Sequence, residues 1–157
     1  MDDINEGLRK SFTKLRTWIP NLPLPRIYTQ IGALDQSIVV GDMMIGISLD
    51  KYMGAKYPIY KKFNYSSEQL ESMNRSYIVP DCISFYLLSV YPLKNYDSRT
   101  QLEKDLHMGK IMWVANKALG SEVFNTDYVR AIGRYMKKHP EITVLQLLES
   151  DDYRDIQ

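Results

Sequence analysis

Apolar residues at spacings of three and four open the chain. Ile4, Leu8, Phe12, Leu15 and Ile19 make one stripe, with mostly charged or polar residues between them. That period predicts an amphipathic helix over about residues 3–18, with Asp2 or Asp3 as its cap. Pro20, Pro23 and Pro25 end it, because proline fixes φ and brings no N–H. The period then shortens. Ile27 and Ile31 alternate with more polar neighbours, residues 37–40 are rich in β-branched side chains, and residues 43–49 are apolar after a turn signal at Gly41-Asp42. These segments, within 26–49, predict three short strands in an antiparallel meander. Residues 52–65 show no clean period and are expected to be loop with one helical turn at most.

The remainder reads as helix. Ser66 with Gln69 fits a capping box for a short helix to about residue 74. Pro80 suits a first helical position, with Val79 extended before it. In the run 81–91 that follows, Ile83, Phe85, Leu87, Leu88 and Val90 nearly surround the axis, so this helix is expected to be buried. Thr100 with Glu103 opens a helix that Gly120 closes, carrying Leu102, Leu106, Gly109, Trp113 and Asn116 on one face. Asn125 or Thr126 caps a helix that stops before Pro140, and Thr143 caps the last, to about residue 148. The class is therefore α+β: a small antiparallel sheet near the N-terminus packed with five or six helices. One domain is expected over 1–157, made of the helix within 1–20, the strands of 26–49 and a helical part over 66–150.

Composition narrows the function classes. At 157 residues, 45% hydrophobic and 25% charged, the chain can bury about two-thirds of its unfolded surface without staples. Lys+Arg total 20 against Asp+Glu 19, a net charge of +1, which gives no field for steering to nucleic acid. The lone cysteine, Cys82, excludes an internal disulfide and cysteine-rich metal sites. No run approaches the ~18–20 apolar residues of a membrane span. The acidic start, Met1 to Glu6, lacks the basic and apolar regions of a signal peptide, so any export signal is expected to have been removed or to lie outside this piece.

Candidate chemistry is sparse. H-E-x-x-H, G-x-S-x-G and both glycine-rich phosphate loops are absent. His107 and His139 are too far apart in the chain to form a helical zinc pair. His107 with Asp81 or Asp105 would make only a partial metal set, and as the flank of an amphipathic helix it is expected at the surface or in a second layer. His139 is placed to bond the last carbonyls of its helix, and Cys82 to serve as a small core residue near a helix start. Twelve tyrosines are the oddity of composition. Tyr52, Tyr57, Tyr60 and Tyr65 surround Lys56, Lys61 and Lys62, which suits either contact with a protein or glycan or the covering of a thin core.

Several segments carry a resemblance. Trp18-Ile19-Pro20, Pro25-Arg26-Ile27-Tyr28, Ile47-Ser48-Leu49-Asp50-Lys51-Tyr52-Met53-Gly54, Tyr57-Pro58-Ile59-Tyr60, Leu106-His107-Met108-Gly109-Lys110-Ile111-Met112-Trp113 and His139-Pro140-Glu141-Ile142-Thr143 stand in the order seen in the gliding-motility lipoproteins of Bacteroidota. The chain resembles that family from about residue 16 to 155. The family is in turn similar to zincin-type zinc proteases, in which one helix bears H-E-x-x-H and a later one a Glu-Gly pair. Here the corresponding positions hold Asp81-Cys82-Ile83-Ser84-Phe85 and Met108-Gly109. The resemblance therefore implies a zincin-like fold without its metal site, a lost activity and no cofactor. It also implies an envelope or periplasmic location, with a lipid anchor in the precursor. The resemblance also leads to the expectation that part of the usual leader is absent from this piece, as in a domain or shortened homologue.

On this reading the chain binds an envelope protein or peptide, as part of a gliding or secretion apparatus, through a cleft between the two motif helices. Asp81, His107, Met108 and Lys110 would lie in that cleft, with Tyr52, Tyr57 and Tyr60 on its rim. Two alternatives remain open: a hydrolase built on Asp81, His107 and a tyrosine, which requires Asp81 and His107 to converge, and a purely structural subunit.

Overall fold

The computed structural model describes residues 2–31, 37–41 and 43–156. Among them are six α-helices and a three-stranded sheet: α1 Asp2–Trp18, β1 Arg26–Gln30, β2 Ile38–Gly41, β3 Met44–Ser48, α2 Ser67–Ser72, α3 Ile78–Val90, α4 Gln101–Leu119, α5 Asp127–Lys138 and α6 Val144–Glu149. A short 3-10 turn at Leu49–Lys51 follows β3, so the third strand ends one residue earlier than expected, and another at Pro58–Lys62 is the helical turn within the loop of 52–65. The link 32–36 and Asp42 of the expected Gly41-Asp42 turn lie outside the described residues.

The α+β class stands, but the sheet is mixed rather than an antiparallel meander. Its order is β1-β3-β2, with β1 parallel to β3 and β2 antiparallel to it. The strand with the strongest apolar run takes the centre, where both edges are paired. Ile45 and Ile47 of β3 are fully buried, whereas the more polar β1 lies at an edge with Arg26, Tyr28 and Thr29 exposed. Gly41 pairs directly with Met44, so β2 and β3 must run antiparallel across a two-residue connection. The inner face of the sheet carries Ile38, Ile45 and Ile47, with Ile27 and Val40 at its margin. On the outer face the Tyr28 ring lies across Gly46.

The helices bury the faces that their periods assign. Ile4, Leu8, Phe12 and Leu15 of α1 join one core with α3 and α4, each side chain contributing roughly 1.5–3 kcal/mol of burial. Asp2 and Asp3 sit in the first turn of α1, where they favour the helix dipole, and the capping position before them is outside the described residues. Ser66, Thr100 and Thr143 close reciprocal capping boxes, and Thr126, rather than Asn125, caps α5. Helix α3 begins at Ile78, so Val79 is helical rather than extended and Pro80 is the third helical residue. A proline is tolerated there because the first N–H groups of a helix have no internal acceptor. Gly120 ends α4 in the left-handed region, φ 70°. At Gly109 an added Cβ would fall 2.7 Å from the backbone carbon of Tyr128, so α4 and α5 cross in backbone contact.

Candidate functional site

The side chains singled out in the sequence separate into two clusters. The first lies at the start of α3. The hydroxyl of Tyr52 donates to Asp81 Oδ2 at 2.7 Å, at the floor of a small depression of about 160 Å³ whose walls include Ser37, Lys51, Tyr65 and Gln69. Burial pushes the Asp81 carboxyl up to about 6, against the lowering effect of the Tyr52 bond. Burial, and then the Asp81 charge, raises the Tyr52 hydroxyl further still. Cys82, the next residue, is wholly buried, and its thiol is pushed up to about 12 by burial. A thiol held protonated is inert, which matches the reading of Cys82 as a small core residue.

The second cluster lies at the far end of α3. His107 is only 2% exposed, not the surface or second-layer residue expected, because residues 150–156 fold over α4. His107 Nε2 lies 2.8 Å from the Tyr91 carbonyl oxygen. A carbonyl can only accept, so Nε2 carries the proton and Nδ1 accepts from the Tyr153 hydroxyl at 2.5 Å. Burial, with the Lys110 charge second, lowers this imidazole to about 4. Lys110, with no exposed surface, donates to the carbonyls of Ser150 at 2.7 Å and Leu148 at 3.4 Å, and its ammonium lies 3.9 Å from Asp151. Burial lowers it to about 8 despite that carboxylate.

Asp81 and His107 therefore do not converge. The carbonyl that His107 grips is ten residues beyond Asp81, roughly 15 Å along the axis of α3. Helices α3 and α4 pack directly on each other, and Met108 is half-buried on α4. His139 also differs from expectation. Its backbone N–H, not its imidazole, bonds the carbonyls of Tyr135 and Met136, while its ring meets Glu141 at 3.2 Å.

Of the two roles left open for the tyrosine-rich segment, the structure shows the covering of the core. Tyr60 is buried, donating to the Asp50 carbonyl at 2.6 Å and accepting from the Met53 N–H at 3.1 Å. Tyr57 and Tyr65 meet its ring edge-on at 5.1 and 5.8 Å. Outside this staple Met53, Ile59 and Phe63 are exposed, beside the exposed Lys56, Lys61 and Lys62.

Sequence reasoning missed the closing segment, which carries Ser150, Asp151 and Tyr153. Its one signal was the pair Tyr153 and Ile156, apolar rings and branches in an otherwise charged tail, and both are buried.

A sequence model for the family described as gliding motility protein GldB matches residues 1–125. The chain belongs to this family. The matched residues include α1, the sheet, α3 and α4, and with them Tyr52, Asp81, His107 and Lys110. Membership links the chain to gliding motility and, through the family's lipoprotein character, to the cell envelope. No curated protein and no solved structure matches the chain. No helix among the described residues is long and apolar enough to cross a membrane.

Proposed function

We propose that this chain is a non-catalytic member of its family that works by holding a protein or peptide partner in the envelope, within a gliding or secretion apparatus. Its scaffold is that of a zincin-type peptidase of Bacteroidota that has lost its metal, and its precursor is lipid-anchored. The observation that carries the reading is the state of His107: both ring nitrogens are occupied by internal partners, beneath a segment that excludes solvent. A general base needs a free nitrogen beside the substrate. The residues present do not fit zinc either. Asp81 is bonded to Tyr52, Cys82 is buried and protonated, and no three His, Cys, Asp or Glu side chains converge among the described residues. Zinc requires three such ligands in tetrahedral array.

The contact surface is the outside of the tyrosine staple. Met53, Ile59 and Phe63 offer apolar area on a segment held rigid by the internal bonds of Tyr60, and the three lysines beside them favour a partner with acidic residues around an apolar anchor. A photo-crosslinker at Phe63 is expected to trap an envelope protein in cells of the source organism, and Ile59→Glu is expected to abolish that product while leaving the melting temperature unchanged. Stoichiometric tightly bound zinc, with peptide hydrolysis lost on chelation, would overturn the reading.

A further inference from the structure

Both tryptophans of the chain, Trp18 and Trp113, line one cavity that shares no residue with the tyrosine staple. It measures about 590 Å³ and lies where the C-terminal ends of α1 and α4 meet the loop before α5. That loop is fixed: the Asn116 amide donates to the Phe124 carbonyl at 2.7 Å and accepts from the Phe124 N–H at 3.0 Å. The ammonium of Lys117 stands 5.1 Å from the Trp113 ring centre and 5.7 Å from that of Trp18. Neither Lys117 nor Lys14, which also lines the cavity, pairs with a carboxylate among the described residues, and neither indole N–H has an acceptor there. Glu122 stands on the rim and likewise has no partner among them.

We propose that this cavity binds an acidic saccharide, a sugar ring carrying a carboxylate. The physical requirements match one by one. A pyranose has a flat C–H face that packs on indole, and hydroxyls that accept hydrogen bonds from indole N–H groups and donate them to a carboxylate such as Glu122. Its carboxylate replaces the weak cation–π hold on Lys117 with a charge-assisted hydrogen bond. The volume lies within the ordinary range for small-ligand sites, roughly 300–1,000 Å³. An acidic peptide fits less well. No strand edge borders the cavity to pair with an extended backbone, and Glu122 repels its side chains while accepting sugar hydroxyls. This site is separate from the proposed protein-contact surface, and its test does not depend on that surface.

Because the two tryptophans are the whole indole content of the chain, their emission reports on this cavity alone. Titration with a galacturonic acid oligomer is expected to change tryptophan emission saturably, with calorimetry giving the same affinity. The neutral galactose oligomer and oligoglutamate are each expected to bind at least tenfold more weakly. Lys117→Ala is expected to cost about tenfold in affinity and Lys14→Ala less, with Lys117→Arg retaining binding and the remote Lys62→Ala leaving it unchanged. Absence of saturable binding by both methods at millimolar oligomer would overturn the proposal. So would oligoglutamate binding as tightly as the uronate, which would mark a peptide site, or an unchanged affinity in the folded Lys117→Ala variant.

Discussion

The Asp81 carboxyl keeps its proton to about pH 6, two units above an exposed aspartate at roughly 3.9, because burial disfavours its charged form. A carboxyl raised on folding contributes stability that is full below about pH 4 and is lost as pH rises through about 6. Asp81→Asn keeps an acceptor for Tyr52 and cannot ionise. It is expected to stabilise the protein by about 1–2 kcal/mol at pH 8 and by roughly a third of that at pH 4.5, as thermal melts at the two values would show; an equal effect at both would remove the account. His107 works in the opposite sense. Its pKa falls on folding to about 4, so its contribution is full above about pH 6.5 and is lost as pH falls through 4. Amide exchange over residues 150–156, corrected for intrinsic rates, is expected to accelerate between pH 7 and 4.5 and to do so much less in His107→Gln.

At the scale of elements, the crossing of α4 and α5 sets the tolerance of their glycines. A methyl at Gly109 meets the Tyr128 backbone at 2.7 Å, and a backbone cannot rotate aside as a side chain can. Gly109→Ala is expected to cost about 3 kcal/mol in chemical denaturation. At Gly133 the neighbour is the Trp113 indole at 3.3 Å, which can shift. Gly133→Ala is therefore expected to be neutral or stabilising, helped by the helix preference for alanine. Similar costs for the two would show that the crossing is looser than described. This also gives Gly109 a packing reason that is independent of any metal-binding ancestry. The capping boxes at Ser66 and Thr100 and the cap at Thr143 were legible in the sequence because a cap joins residues three apart. The start of α3 was not, since Pro80 is compatible with several positions in a first turn and packing chose among them.

For the whole molecule, the closing segment is what joins the helical half. Tyr153 and Ile156 are buried against residues from α4 and its neighbours, and Lys110 and His107 fasten the same segment from below. Tyr153→Ala removes a ring and the hydroxyl that His107 accepts from, so it is expected to cost about 3–5 kcal/mol. Because α1, the sheet, α3 and α4 share one core, the wild-type chain is expected to unfold in a single calorimetric transition. Two separated transitions would divide the chain into units that its core does not suggest.

Local spacing and residue order along the chain were enough for the existence of the helices, for the caps at Ser66, Thr100 and Thr143, for the presence of three strands, for the burial of Cys82 and for the family. The tertiary structure alone decided the sheet order, the burial of His107 and Lys110, the distance between Asp81 and His107, and the meeting of Trp18 with Trp113. Those outcomes join residues distant along the chain, as His107 and Tyr153 are at 46 positions. Periodicity assigns each element a face to bury, and only the packed molecule chooses which other element meets that face.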